Sequence, residues 1–164
     1  MLGKLLERLH RKSIILLNNE VKEMSVYTTK VVWTGGHDGK LICGNGPRMS
    51  FSAPPALQGR AGVMTPEDSF VASLNMCFHL MFVWATERLK IQLVSYECEA
   101  QGHVIEFLDR TSTFEKILLR PIIKVKVDSI NRVGKALEWA RKYSLIANSV
   151  KSQVIVEPRI ESEL

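Results

Sequence analysis

The chain has 164 residues, of which 46% are apolar and 24% charged, and these values are typical of one soluble globular domain. Its formal net charge of +5 is modest, and part of it lies in the first dozen residues. Basic and aromatic residues do not alternate in the way that stacking surfaces for bases require, so the composition disfavours nucleic-acid binding.

The three cysteines, Cys43, Cys77 and Cys98, are widely spaced and form no CxxC pair. Their odd number and their spacing predict neither a disulfide scaffold nor a zinc site, and no cofactor is indicated. The longest apolar run near the N-terminus, Ile14 to Leu17, is too short for the hydrophobic part of a secretory signal. We therefore expect reduced thiols in a cytoplasmic protein.

The first predicted element is an amphipathic helix. Leu2, Leu5, Leu6 and Leu9 follow the i, i+3, i+4, i+7 spacing that places apolar side chains on one helix face. We interpret residues 1–25 as an N-terminal helical extension that lies on the core or on a partner subunit; the alternative is an anchor at a membrane surface. Residues 26–164 are predicted to form a single domain.

A β-hairpin is predicted next. Tyr27 to Trp33 is rich in β-branched and aromatic residues, and the Gly-rich turn TGGHDGK leads into a second strand, KLICG. Cys43 lies in that second strand among apolar neighbours, which favours a buried, unreactive thiol.

A long loop is predicted from Asn45 to Val63. This segment is rich in glycine and proline and contains one short strand-like piece, MSFSA. Long loops in compact domains often carry function. Two arginines, Arg48 and Arg60, lie in this loop and are candidates for a site.

A long central helix is predicted after the loop. Thr65 suits the capping position, Pro66 the first helical position and Asp68 the capping-box carboxylate, and the helix is predicted to end near Leu89. Of the seventeen residues from Ser69 to Ala85, only four are strongly polar. The stretch is slightly shorter than the about 20 residues of a membrane span and has polar groups near its middle, so we interpret it as a helix buried in a soluble core.

Alternating and helical patterns follow the central helix. Residues 93–107 alternate in polarity, and the face formed by Val94, Tyr96, Cys98 and Ala100 is predicted to point to the core, which makes Cys98 a structural thiol. A turn at 109–112 leads into a second long strand. Helices are predicted at 130–143 and 145–150, and SQVIVEP is predicted to be a closing strand. An antiparallel sheet with segregated helices makes the fold class α+β.

Cys77 stands in the central helix with Asn75 two residues before it and His79 two residues after it. Two residues along a helix correspond to a rotation of about 200°, so both neighbours point away from Cys77. We therefore expect His79 to be a satisfied polar group on the other face, within reach of Asn75. A cysteine is a nucleophile only as a thiolate, and the helix dipole contributes little beyond the first turn, so a cation from elsewhere must activate Cys77.

Glu67 lies ten residues before Cys77, about 15 Å lower along the same helix. It cannot contact the thiol of its own chain. It would serve a thiol only through another element, or across a dimer in which two such helices pack side by side. The alternative is a first-turn carboxylate that the helix dipole favours.

Three segments together resemble the OsmC/Ohr family of osmotically inducible and organic hydroperoxide resistance proteins. They are TPEDSFVASLNMC, the two-strand segment after it, and the helix that ends in ARKYSLIANSVKSQVIVEP, and the resemblance covers about Tyr27 to Pro158. Its most specific part is the family segment N-P-E-E/Q-L/F, followed ten residues after the Glu by a cysteine in an apolar helix. Thr65 replaces the Asn here, and the turn TGGHDG is similar to the TGGRDG of the hydroperoxide resistance branch.

The resemblance implies an OsmC-like fold, with antiparallel sheets wrapped around long central helices, in an intertwined homodimer with two sites at the subunit interface. It implies that Cys77 attacks a hydroperoxide as a thiolate and becomes a sulfenic acid. A second cysteine then forms a disulfide with it, which a thiol reductant reopens. It also implies an arginine that activates the thiolate and is oriented by Glu67.

Two positions depart from the family pattern. His37, which is only partly charged at neutral pH, replaces the arginine of the GGRDG turn, so Arg60, or as a second choice Arg48, is the candidate cation. Ser144 occupies the position of the second cysteine, and a serine cannot form a disulfide. Neither remaining cysteine stands at that position.

The resemblance leaves three possible functions. The first is reduction of organic hydroperoxides by Cys77 with an external thiol reductant, which would make the protein a cysteine peroxidase of the stress response. The second is a family member without peroxidase activity that binds a small lipophilic ligand at the dimer interface, and the third is a redox sensor or structural dimer. The predicted catalytic residues are Cys77, Glu67 and Arg60, with His37 and Ser144 as secondary candidates.

Overall fold

The computed structural model describes residues 24–164, which form two β-sheets and three α-helices. The predicted amphipathic helix lies outside the described residues, and the division at residue 25 stays a prediction. The first sheet has three antiparallel strands in the order β1 (Thr29–Gly35), β2 (Asp38–Cys43) and β3 (Arg48–Ser52). The predicted hairpin is therefore confirmed, and Gly35 and Gly36 supply the positive φ angles, 119° and 50°, that its turn requires.

The first sheet has one apolar face and one polar face. Its pairing register places five large side chains on the same face, and the next residues along each strand are on the other. Those five are Val31, Trp33, Leu41, Met49 and Phe51. Val31 is 61% exposed and Trp33 is 74% exposed, so residues 24–164 leave this apolar face largely uncovered.

The central helix α1 (Pro66–Arg88) begins with the predicted capping box: the Thr65 hydroxyl accepts from the Asp68 backbone N–H, and the Asp68 carboxylate accepts from the Thr65 backbone N–H. Four residues on one side, Leu74, Phe78, Phe82 and Ala85, are fully buried. On another side, Met76 and Leu80 are each 60% exposed.

By length and composition, α1 is the one helix within residues 24–164 that could cross a membrane. Its buried side packs in the core of the domain, as predicted for a core helix. Core helices of soluble proteins can be as long and as apolar as membrane spans. However, only 28% of its most apolar window is buried. The expectation that the whole segment is buried therefore holds for one side of the helix.

The second sheet carries the core. Its strands are β4 (Leu93–Glu106), β5 (Ser112–Lys126), β6 (Gln153–Val156) and β7 (Arg159–Glu163), with β4 antiparallel to β5. The other two strands, β6 and β7, run parallel to β5, so the expected antiparallel sheet is in fact mixed. The sequence predicts β6 and gives no sign of β7. The α+β class is confirmed.

Two helices follow β5 and pack beside α1. They are α2 (Ile130–Tyr143) and α3 (Leu145–Ser149), close to the predicted bounds. On β4, Tyr96, Cys98 and Ala100 pack against the core as expected, but Val94 is 42% exposed because the pairing shifts between Leu93 and Ser95. Cys43 is half-buried, not buried, because its strand lies in the uncovered first sheet.

Candidate functional site

Cys77 lies half-buried in the middle of α1, on the side that faces the junction of α2 and α3. The Ser144 hydroxyl at that junction is 3.2 Å from the Cys77 sulfur and donates a hydrogen bond to it. The two residues are 67 positions apart in the sequence, so tertiary packing brings them together. The residue that matches the family's second cysteine is thus in direct contact with Cys77.

Ser144 is fixed by both helices that meet at it. Its backbone N–H donates to the Ala140 carbonyl at 3.1 Å, which ends α2, and its hydroxyl accepts from the Ala147 N–H at 3.3 Å, which begins α3. The residue is 0% exposed. Its hydroxyl therefore has a fixed position toward Cys77.

Asn75 and His79 lie on the other face of α1, as predicted from the rotation per residue. Asn75 donates from Nδ2 to the Cys98 carbonyl at 3.0 Å, and the His79 ring lies 4.7 Å from the Tyr96 ring. Each therefore contacts β4, and the structure shows no hydrogen bond between them. The expectation that His79 is satisfied is wrong: its Nδ1 is buried without a hydrogen-bond partner among the described residues.

The environment of Cys98 is that of a structural thiol. Burial among core side chains raises the pKa of Cys98, because the thiolate loses hydration there. Burial likewise raises the pKa of the neighbouring Tyr96. The Cys98 thiol is therefore kept in the unreactive protonated form at neutral pH.

Glu67 lies in the first turn of α1 and does not contact Cys77. Its Oε2 is buried and has no hydrogen-bond partner among residues 24–164. A buried carboxylate oxygen without a partner is costly, and the cost is avoided when a cation or another donor binds it. Glu67 therefore has an open acceptor, which is the feature that the interface hypothesis requires.

Arg60 and His37 lie together at one end of the first sheet, away from any contact with Cys77 in the described chain. Arg60 pairs with Asp38 at 3.0 Å between Nε and Oδ2, and 60% of its side chain is exposed. The hydrogen bond from the Ser52 hydroxyl, together with Arg60, holds the pKa of Asp38 below its usual value. His37 precedes Asp38 and is exposed.

Arg48 does not join this cluster. It begins β3, whereas Ser52, which accepts from the Arg60 backbone N–H, ends it. Four residues along a strand span about 13 Å. Arg60 and His37 are therefore neighbours on either side of Asp38, and the second choice Arg48 is separate from them.

An open apolar cavity of about 420 Å³ lies beside the Cys77 face of α1. Its lining residues are Met81, Trp84 and Tyr143. Met81 and Trp84 follow Cys77 by four and seven residues, which puts all three on the same helix face, and Tyr143 precedes Ser144. The sequence reasoning missed this cavity, although the spacing of these residues could have indicated it.

Among residues 24–164, no cluster of three or more histidine, cysteine or acidic side chains could hold a metal ion.

Comparison with known proteins decides the family. The family model described as OsmC-like protein matches residues 59–159, which is more than half of the chain. The chain belongs to the OsmC-like family. No curated protein matches its sequence.

Several solved structures share the OsmC-like fold. An OsmC-like protein of unknown function from Vibrio cholerae has 23% identity and a TM-score of 0.75, over 82% of this chain and 99% of that one. An organic hydroperoxide resistance protein from Elizabethkingia anophelis has 17% identity and a TM-score of 0.68, over 87% and 100%. One from Legionella pneumophila has 18% identity and a TM-score of 0.64, over 85% and 99%. At these identities the likeness establishes the fold alone.

The contact between Ser144 and Cys77 makes a specific prediction about the variant Ser144→Cys. An oxygen 3.2 Å from a sulfur is about 1 Å farther than a disulfide needs, and small side-chain rotations close such a gap. We expect mild oxidation to join the introduced thiol to Cys77, so that the number of free thiols measured in denaturant falls by two.

The matched control is Ser149→Cys, because the Ser149 hydroxyl binds the Leu145 carbonyl at the other end of α3. Peptide mapping should show no bond from that position to Cys77. Absence of the bond in Ser144→Cys would contradict the geometry described above.

Proposed function

We propose that this OsmC-like protein reduces organic hydroperoxides through Cys77, in the cytoplasm, with an external thiol as the reductant. The observation that carries the proposal is the half-buried Cys77 with the Ser144 hydroxyl 3.2 Å from its sulfur, at the family's two reactive positions. Several structural neighbours with this fold are named organic hydroperoxide resistance proteins.

The proposed cycle has one cysteine. The Cys77 thiolate attacks the distal peroxide oxygen, an S–O bond forms, the O–O bond breaks, and the alkoxide takes a proton to leave as an alcohol. The resulting sulfenic acid reacts with an external thiol, which releases water and leaves a mixed disulfide. A second thiol reduces that disulfide and restores Cys77. Ser144 cannot replace the external thiol, because its oxygen cannot form a disulfide.

The homodimer is part of the proposal because two apolar surfaces are left exposed by residues 24–164. One is the face of the first sheet that includes Val31 and Trp33, and the other is the side of α1 with Met76 and Leu80. A second copy would cover both at once if the sheet of each chain packs on the helix of its partner. Exposed apolar patches of this kind mark protein interfaces.

The same arrangement would supply the missing cation. Glu67 has a buried oxygen without a partner among the described residues, while Arg60 is exposed and held only at the surface by Asp38. In the proposed dimer, Arg60 reaches Glu67 of one chain and Cys77 of the other, because these two residues of a single chain are about 15 Å apart along the helix. Surface ion pairs contribute little, so exchange of Asp38 for Glu67 costs little.

The peroxidase proposal predicts that Cys77→Ser abolishes peroxide consumption. With cumene hydroperoxide and dithiothreitol, the wild type should consume peroxide well above the uncatalysed rate, and the variant should not. Cys43→Ser and Cys98→Ser are matched controls, because each removes one half-buried thiol that the cycle does not use. If the wild type and Cys77→Ser both consumed peroxide at the uncatalysed rate, the peroxidase proposal would be rejected.

The dimer proposal predicts a difference between two adjacent valine variants. Val31→Glu places a charge on the apolar face of β1, whereas Val32→Glu places the same charge on its polar face, opposite Lys40. Light scattering after size-exclusion chromatography should give a dimer for the wild type and Val32→Glu, and a monomer for Val31→Glu. A wild-type monomer, or a dimeric Val31→Glu, would contradict the proposed interface.

Binding of a lipophilic ligand is the second candidate function, and the cavity lined by Met81, Trp84 and Tyr143 favours it. Its aromatic and thioether walls suit an apolar molecule. Ligand binding without catalysis would use this cavity and would not require a reactive thiol.

The ligand reading predicts that Cys77→Ser still binds a fluorescent apolar probe such as anilinonaphthalene sulfonate. Met81→Gln, which puts an amide into the cavity, should weaken binding about tenfold, since a buried methionine contributes about 1.5–3 kcal/mol. Met24→Gln is the matched control, because Met24 is 63% exposed and does not line the cavity. Equal probe affinity for Met81→Gln and the wild type would exclude this cavity as the binding site.

A further inference from the structure

The Ser144 hydroxyl lies where it can donate its proton to the Cys77 sulfur. A serine hydroxyl has one proton and two lone pairs. The Ala147 N–H occupies a lone pair at 3.3 Å, and the Cys77 sulfur lies at 3.2 Å. Since a backbone N–H can only donate, the hydroxyl proton remains available, and a thiolate sulfur can only accept it.

The capping role of Ser144 does not by itself explain this arrangement. A cap needs only the acceptor function of the hydroxyl, which the Ala147 N–H satisfies. Ser144 is fully buried, so its proton would be left without an acceptor if Cys77 were absent. The proton and the sulfur are thus each other's partners at this site.

We propose that Ser144 is a catalytic hydrogen-bond donor, which stabilises the Cys77 thiolate and then the sulfenate formed from it. The inference rests on the proposed peroxidase function for its role in a reaction, but the donation itself is independent of peroxide. A hydrogen bond to an ionised acceptor is about twice as strong as one between neutral groups, so the donor favours the thiolate over the thiol.

The donor also acts after the first chemical step. When the thiolate sulfur takes the distal oxygen of the peroxide, its negative charge leaves with the alkoxide, which a proton neutralises. Cys77 is then a sulfenic acid, and ionisation of that acid again places negative charge beside Ser144. A hydroxyl donates to both forms and reacts with neither, so the position supports the oxidised cysteine without consuming it.

The test measures the pH profile of Cys77 alkylation in Ser144→Ala and Ser144→Gly. Glycine is a tolerated helix cap and costs only a few tenths of a kcal/mol, so Ser144→Gly keeps the start of α3 while the donor is lost. With iodoacetamide, and with Cys77 followed by peptide mass spectrometry, we expect both variants to react about tenfold more slowly at pH 7. Their profiles should shift to higher pH by about one unit and join the wild-type rate at high pH.

The matched control is Ser149→Ala, which removes a hydroxyl from α3 that binds the Leu145 carbonyl instead of Cys77. Its profile should coincide with that of the wild type. If Ser144 only holds α3 in place, its loss should expose Cys77 and raise the rate at every pH without a shift. That result, or an unchanged profile in Ser144→Gly, would overturn the inference.

The result is separable from the fate of the peroxidase proposal. If the profile shifts while the wild type consumes no peroxide, the donor role stands and the proposed reaction fails. If peroxide is consumed and the profile does not shift, the reaction stands and the role of Ser144 fails.

Discussion

The structure depends on one constraint: the central helix α1 is apolar on more sides than the described part of the chain covers. Leu74, Phe78 and Phe82 are fully buried against the core, and Met76 and Leu80 are largely exposed. A helix that is apolar all round belongs inside a protein. Cys77 lies between the buried and the exposed side of α1. Ser144, at the junction of α2 and α3, forms its surroundings on the buried side, and whatever covers Met76 and Leu80 forms them on the exposed side.

Local signals in the sequence predict most of this framework. The capping box at Thr65 and Asp68 is determined within four residues, and the structure reproduces it. The hairpin turn follows in the same way from Gly35 and Gly36. By contrast, β7 pairs with β5 in parallel after the chain has returned through two helices, and no local pattern encodes such a pairing. The shift between Leu93 and Ser95, which exposes Val94, is likewise a property of the pairing and not of the alternation.

The candidate site was also predictable only where local backbone geometry determines it. Rotation along the helix separates Asn75 and His79 from Cys77, because it depends only on backbone geometry. The contacts of each side chain depend on the strand or helix that packs against it. The sequence therefore could not predict that His79 Nδ1 lacks a hydrogen-bond partner among the described residues. The motif resemblance singles out Ser144, but only tertiary packing shows that its hydroxyl reaches the sulfur at 3.2 Å. Likewise, the Gly-rich turn and the loop are separate in sequence, and the pairing of Arg60 with Asp38 joins them.

Under the proposed function, a serine at the position of the family's second cysteine changes the demands on the rest of the site. A two-cysteine enzyme protects its sulfenic acid by converting it quickly to an internal disulfide, and this chain has no thiol in contact with Cys77 among the described residues. In the proposed cycle, the sulfenic acid must then persist until an external thiol arrives, so the site would need both a group that stabilises it and a path for the reductant. The fully buried Ser144 hydroxyl is suited to the first need, and the open cavity beside Met81, Trp84 and Tyr143 to the second. A stabilised, slowly reduced sulfenic acid is also what a redox sensor uses, and therefore the rate of reduction by the external thiol, more than the rate of attack on peroxide, separates an enzyme from a sensor at this site.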